Sequence, residues 1–408
     1  MQFKQSQLDN GLQVIGEVNP AAASMAVGFF VRTGSRDETA TISGVSHFLE
    51  HMMFKGTARR SPFDINREFD QMGAVYNAFT SEENTVYYAA VLPEFQPPLM
   101  DLLGDMLRPA LRQEDFDTEK NVILEEIKLY EDRPQFRLYE QLMREHFLPH
   151  PLGQNVLGTP SSVTALKRQD MQDYFDRRYA PGNVALVAVG NFDWPALLEQ
   201  VREACGHWVD YSVDRQRESW PGSRKTAHMQ DAKLLRQHVG LMSSAPSAQS
   251  DQRYSAHLLA AILGDVTGSR LFYALVEPAI AEEASCSYDE LDGAGAFLTF
   301  LSASPQRAGQ ALDIARGEYQ KFLQAGPTES ELVAAKNKIA SSITLRGELP
   351  MGRLTAVGFE WVYRKTYGSL AQHVECILAV TARQVLEVAR QHDLLAATTV
   401  TLGPRPAL

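Results

Sequence analysis

The chain has 408 residues, with 39 basic and 50 acidic side chains and a formal charge of −11. It is 44% hydrophobic and 22% charged, which excludes a disordered chain and argues against nucleic acid as the main partner. At roughly 150 residues per domain the length predicts two or three domains. The three cysteines, Cys205, Cys286 and Cys376, are odd in number and form no CxxC pair. They predict a reduced, cytoplasmic protein without a disulfide framework. The N-terminus shows no apolar core of a secretory leader, and the apolar run 21–31 is shorter than the ~20 residues of a membrane helix. No membrane span is expected.

In chain order, Asp9-Asn10-Gly11 is turn chemistry between Phe3 and Leu12-Gln13-Val14-Ile15, a hairpin signal. Residues 25–31 read as a buried strand. From 43 to about 55, Val45, Phe48, Leu49, Met52 and Met53 recur at helical spacing, and Gly56 stands where a C-terminal cap belongs. Residues 63–72 predict a second helix. Residues 75–80 and 85–91 predict paired strands around a polar turn. Helices are expected at 95–107, 118–130 and 169–179, and a buried strand at 184–189.

Residues 209–231 are polar and punctuated by Pro221 and Gly222, which predicts a linker. The chain then echoes itself. The strand at 237–244, with its central Gly240, resembles 25–33, and a helix at 254–263 follows it. Residues 383–392 and 398–402 repeat the helix and strand at 169–179 and 184–189. The expected fold is therefore α+β, two duplicated α/β-sandwich domains. The domains are placed at 1–212 and 229–408, with the linker at 213–228.

The chemical signal is His47-Phe48-Leu49-Glu50-His51. On a helix, positions 47 and 51 project from one side, and 50 lies beside them. Two imidazoles one turn apart can share a zinc ion, while the glutamate is placed to take a proton from water rather than to bind metal. A two-histidine site needs a third protein ligand, usually a carboxylate. The helix at 118–130 carries Glu119, Glu125 and Glu126 in or next to it. Glu119 and Glu126 are two turns apart and share a face, whereas Glu125 points about 100° away from Glu126. Glu126 is the favoured ligand, Glu125 the competing one, and Glu119 a group that can hold a ligand histidine in orientation. The flanking apolar residues bury much of this helix, where unpartnered histidines and a glutamate would cost several kcal/mol.

The run from His47 to Thr57 resembles the signature of the pitrilysin-like zinc peptidases, the inverzincins or insulinase family. The segment from Glu119 to Glu126 is similar to the downstream segment of that family, and Gly268-Ser269-Arg270-Leu271-Phe272 to its second-domain motif. The resemblance spans nearly the whole chain and is greatest to the two-domain processing-peptidase subfamily. It places the family's ligand glutamate on Glu126 and its supporting glutamate on Glu119. It implies half of a clam-shell chamber, one Zn²⁺ per chain held by His47, His51 and Glu126, and Glu50 as the catalytic acid–base. The activity implied is zinc-dependent endopeptidase action on unfolded or extended peptides, by Glu-assisted attack of a metal-activated water. The alternative is a non-catalytic scaffold or core subunit on the same fold. An S-ribosylhomocysteine lyase shares the pentamer, but it is much shorter and needs a catalytic cysteine.

Asn77-Ala78-Phe79-Thr80-Ser81 resembles the family strand that binds substrate, which implies backbone contacts from Asn77 and Ala78 and an apolar wall from Phe79. One family feature is missing. No tyrosine of this chain has an arginine seven residues before it, although Tyr288 sits in the corresponding region. This leads us to expect a dimer, with a non-catalytic paralogous subunit or with a second copy. Residues 67–140 carry sixteen acidic and seven basic side chains, an excess that would favour basic peptides.

Overall fold

The Asp9-Asn10-Gly11 turn joins β1 (Gln2–Gln7) to β2 (Gln13–Val18), with Gln7 opposite Gln13 and Gly11 at φ +87°. Positive φ is nearly free for glycine and strained for other residues, which explains the turn. The computed structural model describes residues 1–215 and 217–407; Gln216, within the expected linker, lies outside the described residues. The remaining strands are β3 (Met25–Val31), β4 (Val75–Thr80), β5 (Thr85–Val91), β6 (Val184–Gly190), β7 (Thr226–Gln230), β8 (Gln237–Ser244), β9 (Glu283–Glu290), β10 (Gly295–Ala303) and β11 (Thr398–Gly403). They form two mixed sheets, ordered β1-β2-β6-β3-β5-β4 and β7-β11-β8-β10-β9. In each sheet one pair is parallel, β2 with β6 and β7 with β11, and the other pairs are antiparallel.

The duplication expected from the sequence is thus present in the strand order. β2, β6, β3, β5 and β4 match β7, β11, β8, β10 and β9 one for one. Strand β7 begins at Thr226, so the last three residues of the expected 213–228 linker already lie in a sheet.

The first nine helices are α1 (Val45–Met52), α2 (Pro62–Gln71), α3 (Gln96–Met106), α4 (Gln113–Glu131), α5 (Pro134–Phe147), α6 (Pro160–Ala165), α7 (Arg168–Arg178), α8 (Trp194–Cys205) and α9 (Arg253–Gly264). They are followed by α10 (Ala308–Ala325), α11 (Glu329–Gly347), α12 (Pro350–Arg364), α13 (Leu370–Ala379) and α14 (Ala382–Gln391). None of the described helices is long and apolar enough to cross a membrane. α1 stops at Met52, earlier than its apolar pattern suggests. The N–H groups of Phe54 and Lys55 bond three residues back, to His51 and Met52, a tightening common at helix ends. The chain then turns at Gly56, at φ +102°.

Two compact units result, and neither is contiguous in sequence. The first comprises 1–128, 154–215 and 345–368; the second comprises 129–153, 216–344 and 369–408. The boundaries 1–212 and 229–408 describe chain-order halves, whereas the compact units exchange a helical segment between those halves. Each exchanged helix opens with proline at its first turn, where no N–H is needed.

The exchange has a packing reason. In the first unit one face of the sheet, including Ile15, Ala26, Phe30, Val86 and Val187, is covered by Leu354, Val357, Trp361 and Val362 of α12. Gly358 faces the ring of Phe30 so closely that a Cβ would fall 2.1 Å from it. In the second unit α5 plays the same part, placing Leu138, Leu142, Met143 and Phe147 against Met242, Ala296, Val400 and Leu402. The other face of that sheet packs α9, α10 and α14.

α12 is also fastened electrostatically. Arg353 forms a forked bond to the Glu17 carboxylate of β2, at 2.7–3.0 Å, and Tyr367 donates to the same carboxylate at 2.7 Å. Arg353 and Glu17 are 3% and 1% exposed. A buried pair adds little net stability, but removing one partner strands the other charge. Arg353→Met should therefore destabilise the protein by about 3–5 kcal/mol in urea unfolding, and adding Glu17→Leu should recover much of that loss.

Candidate metal centre

α1 carries the chemistry on an otherwise apolar helix. Val45, Phe48, Leu49 and Met52 are fully buried or nearly so, and His47 and Glu50 are themselves buried. Phe48 stacks on Phe116 of α4 with ring centroids 4.7 Å apart, which sets the two helices side by side. α4 buries Phe116, Glu119, Ile123 and Ile127, one stripe at helical spacing. Lys120 anchors the helix by donating to the carbonyls of Thr164 and Leu166, at 3.1 and 2.6 Å.

These packings bring His47, His51 and Glu126 together. Glu126 Oε2 lies 3.4 Å from His51 Nε2 and 3.8 Å from His47 Nε2. One potential ligand atom from each residue falls within 4.8 Å of the others, and no second such group occurs among the described residues. Ligand atoms about 2.0–2.1 Å from a tetrahedral zinc stand roughly 3.3 Å from one another. The spacing and the two-nitrogen, one-oxygen donor set therefore fit a zinc ion after small rotations of the side chains. Glu125 does not join them: its side chain is 72% exposed and pairs with Lys128 at 2.7 Å.

Glu119 sits behind His51. Its Oε1 lies 2.9 Å from His51 Nδ1, and Lys55 pairs with its Oε2 at 2.7 Å. With Nδ1–H bonded to this carboxylate, Nε2 faces Glu126, and loss of the Nε2 proton would leave its lone pair free for a metal. His47 Nδ1 is buried without a hydrogen-bond partner, and the ring meets that of His51 edge-on at a centroid distance of 4.8 Å.

Electrostatics separates the groups. Burial, reinforced by the neighbouring His51, lowers the pKa of His47 to about 4, so this imidazole is neutral. Burial also opposes charge on His51, but Glu119 and Glu126 outweigh it and raise its pKa to about 9. The hydrogen bond from His51 holds Glu126 below the ordinary carboxylate range. Glu119 is lowered too, because His51 and Lys55 overcome its desolvation.

Glu50 moves the other way. Burial raises its pKa, and a 2.6 Å hydrogen bond from Thr80 Oγ1 to Oε2 only partly offsets that. Thr80 ends β4, the outermost strand of its sheet, which also carries Asn77, Ala78 and Phe79. Asn77 is exposed, its side-chain oxygen accepting from the N–H of Ala78 at 2.9 Å. Strand alternation puts Phe79 on the face opposite Thr80. There its ring packs with Tyr88 and Phe359, at centroid distances of 6.2 and 6.1 Å.

Two contributors escaped the sequence reading. Lys55 lies one helical turn beyond His51 in sequence, so its spacing was a usable signal. Thr80 was read only as part of the strand 77–81; its bond to Glu50 gave no signal, because the thirty residues between them are spanned only by the folded sheet.

The chain was also compared with known proteins. The model described as insulinase (peptidase family M16) matches residues 13–160, and that of the peptidase M16 inactive domain matches 165–339. The chain is 32% identical to an uncharacterized zinc protease of Mycobacterium tuberculosis, over 98% of this chain and 93% of that protein. An uncharacterized zinc protease of Bacillus subtilis is 28% identical, over 95% of each chain. The fold matches the crystal structure of a protease from Helicobacter pylori with a TM-score of 0.92 over 99% of both chains, at 20% identity. A Pseudomonas fluorescens structure, described as a peptidase M16 inactive domain, also matches at 0.92 and 17% identity, over 100% of this chain and 99% of that one. With a 32% identical relative called a zinc protease matched over 98% of this chain and two family models covering 13–160 and 165–339 in succession, the chain belongs to the insulinase family of peptidases, family M16.

Proposed function

We propose that the chain is a zinc metalloendopeptidase that cleaves extended peptides. The observation that carries this reading is the convergence of His47, His51 and Glu126 beside the buried carboxylate of Glu50. The two Nε2 atoms and Glu126 Oε2 would hold the ion. When bound, zinc supplies Lewis acidity, which polarises a peptide carbonyl and acidifies water. Glu50 is then the proton carrier. It takes a proton from the attacking water and returns it to the amine that leaves when the C–N bond breaks. Its raised pKa makes it a better base than an exposed glutamate, and Thr80 fixes where that base stands.

The substrate would add to the sheet. β4 is an edge strand, so a peptide pairing with its backbone at Asn77 and Ala78 would run past Thr80 and Glu50. Such binding demands an unfolded or extended segment. Phe79 would meet substrate side chains from the opposite face of the strand.

The tetrahedral intermediate also needs hydrogen-bond donors. Tyr288, the tyrosine in the region where relatives supply one, is buried and already donates to the Pro246 carbonyl at 2.6 Å. This supports donors from a second chain, a paralogous subunit or another copy, and so a working dimer.

Three outcomes are expected. Glu50→Gln should retain about one zinc per chain while peptide hydrolysis falls at least a hundredfold; near-normal turnover would remove Glu50 from this role, and a zinc-free wild type without cleavage would favour the scaffold reading. Because His51 carries a proton below about pH 9 and must lose it to bind metal, zinc affinity should fall about tenfold per pH unit as pH drops from 9 towards 6. Calorimetry in buffers of different ionisation enthalpy should then count about one proton released, and pH-independent binding would contradict the assignment. Specific activity should collapse on dilution in step with dissociation seen by sedimentation; an active monomer overturns the dimer.

A further inference from the structure

The first turn of α1 lacks an adjacent cap. Gly44 precedes it at φ +93°, offers no side-chain hydrogen bond, and has the Leu157 carbonyl 2.7 Å from where a Cβ would be. The N–H groups there are instead met from a distance. Glu38 Oε2 accepts from Gly44 N–H at 2.7 Å, and Oε1 accepts from Ser46 N–H at 2.8 Å. Glu38 is 5% exposed.

The clamp is itself held. Gln154 Nε2 donates to the Glu38 carbonyl at 3.0 Å, and Ser35 Oγ donates to the Gln154 carbonyl at 3.2 Å. The neighbouring Asp37 is gripped by Arg178 and Arg215. On the far side, Ser46 Oγ lies 2.7 Å from Tyr174 OH, which lies 2.7 Å from Thr33 Oγ1. Ser46, the residue before His47, is therefore fixed through both its N–H and its hydroxyl.

Burial raises the pKa of Glu38 to about 8 while the Ser46 and Gly44 N–H groups pull it back, so what the side chain supplies at the start of α1 is two acceptor oxygens for N–H groups that would otherwise lack partners. α1 buries seven of its eight residues, so its helical state has support from the core as well. What the two short bonds add is register. They fix how far α1 slides along its axis and how it is rotated, and both settings move the His47 and His51 nitrogens relative to Glu126.

We propose that Glu38 is a positioning residue for the metal centre, clamping the Gly44 and Ser46 N–H groups so that α1 presents His47 and His51 in register with Glu126. The proposal rests on the metal-centre reading above. Glu38→Gln keeps the shape of the side chain but loses one acceptor and sets an amide N–H₂ against a backbone N–H.

The test uses the full chain stripped of metal and titrated with cobalt(II), followed by the visible absorption of the bound ion. Wild type and Glu38→Gln are compared, with Thr41→Ala as a control on the same segment. Glu38→Gln should keep its far-ultraviolet circular dichroism, bind cobalt about ten- to a hundredfold more weakly and show altered visible bands. After zinc loading its kcat should fall while KM stays unchanged. Thr41→Ala should match wild type. If Glu38→Gln melts at a lower temperature yet keeps wild-type cobalt affinity and spectrum, Glu38 is a structural cap only and the proposal is overturned. Should the Gln variant not fold, Glu38→Asp, which withdraws the carboxylate by one methylene, is read in the same way. A wild type that takes up no cobalt overturns the metal-centre reading itself, and this proposal with it.

Discussion

The structure turns on one constraint: a helix whose other faces belong to the core must carry two buried polar side chains, His47 and Glu50, and a half-buried one, His51. An imidazole or carboxylate removed from water without partners costs several kcal/mol. His47 and Glu50 are buried and His51 half-buried on the same helix as the buried Val45, Phe48, Leu49 and Met52, and each meets the cost differently. His47 stays neutral, His51 is charged against Glu119 and Glu126, and Glu50 leans on Thr80. Much of the rest of the first unit serves to bring those partners to α1. Phe116 stacks on Phe48 to align α4, and the strand pairing of β4 with β5 brings Thr80 into reach.

How much of this was legible follows from the length scale of each interaction. Glu119 and Glu126 could be chosen over Glu125 because two helical turns bring a side chain back to the same face, and Glu125 indeed points to solvent beside Lys128. The repeated halves were legible because strands such as 25–31 and 237–244 are buried and keep their apolar runs. The clamp on Gly44 and Ser46 was not, since nothing in a glutamate six residues before a glycine announces a folded-back cap. Phe79 shows the limit in another way. Its place beside Asn77 and Ala78 was clear, but which face its ring takes depends on Tyr88 and on Phe359 from the far end of the chain.

The exchanged helices were hidden for a related reason. The stripe of Leu354, Val357, Trp361 and Val362 marks an amphipathic helix, yet periodicity says nothing about which sheet it will cover. The same holds for Leu138, Leu142, Met143 and Phe147. Helix and strand follow from local pattern, whereas the assignment of a helix to a sheet is decided by complementarity such as Gly358 against Phe30 and Arg353 against Glu17.

That assignment has a consequence for how the protein is made. A ribosome releases β1 to α8 long before α12, so the sheet beneath α1 emerges with one apolar face bare. Ile15, Phe30 and Val187 stay uncovered until residues 345–368 arrive, and the same wait leaves Glu17 without its arginine. Such late, long-range closure slows folding and exposes sticky surface meanwhile. Either chain-order half, made alone, would lack the helix that covers one apolar face of its sheet.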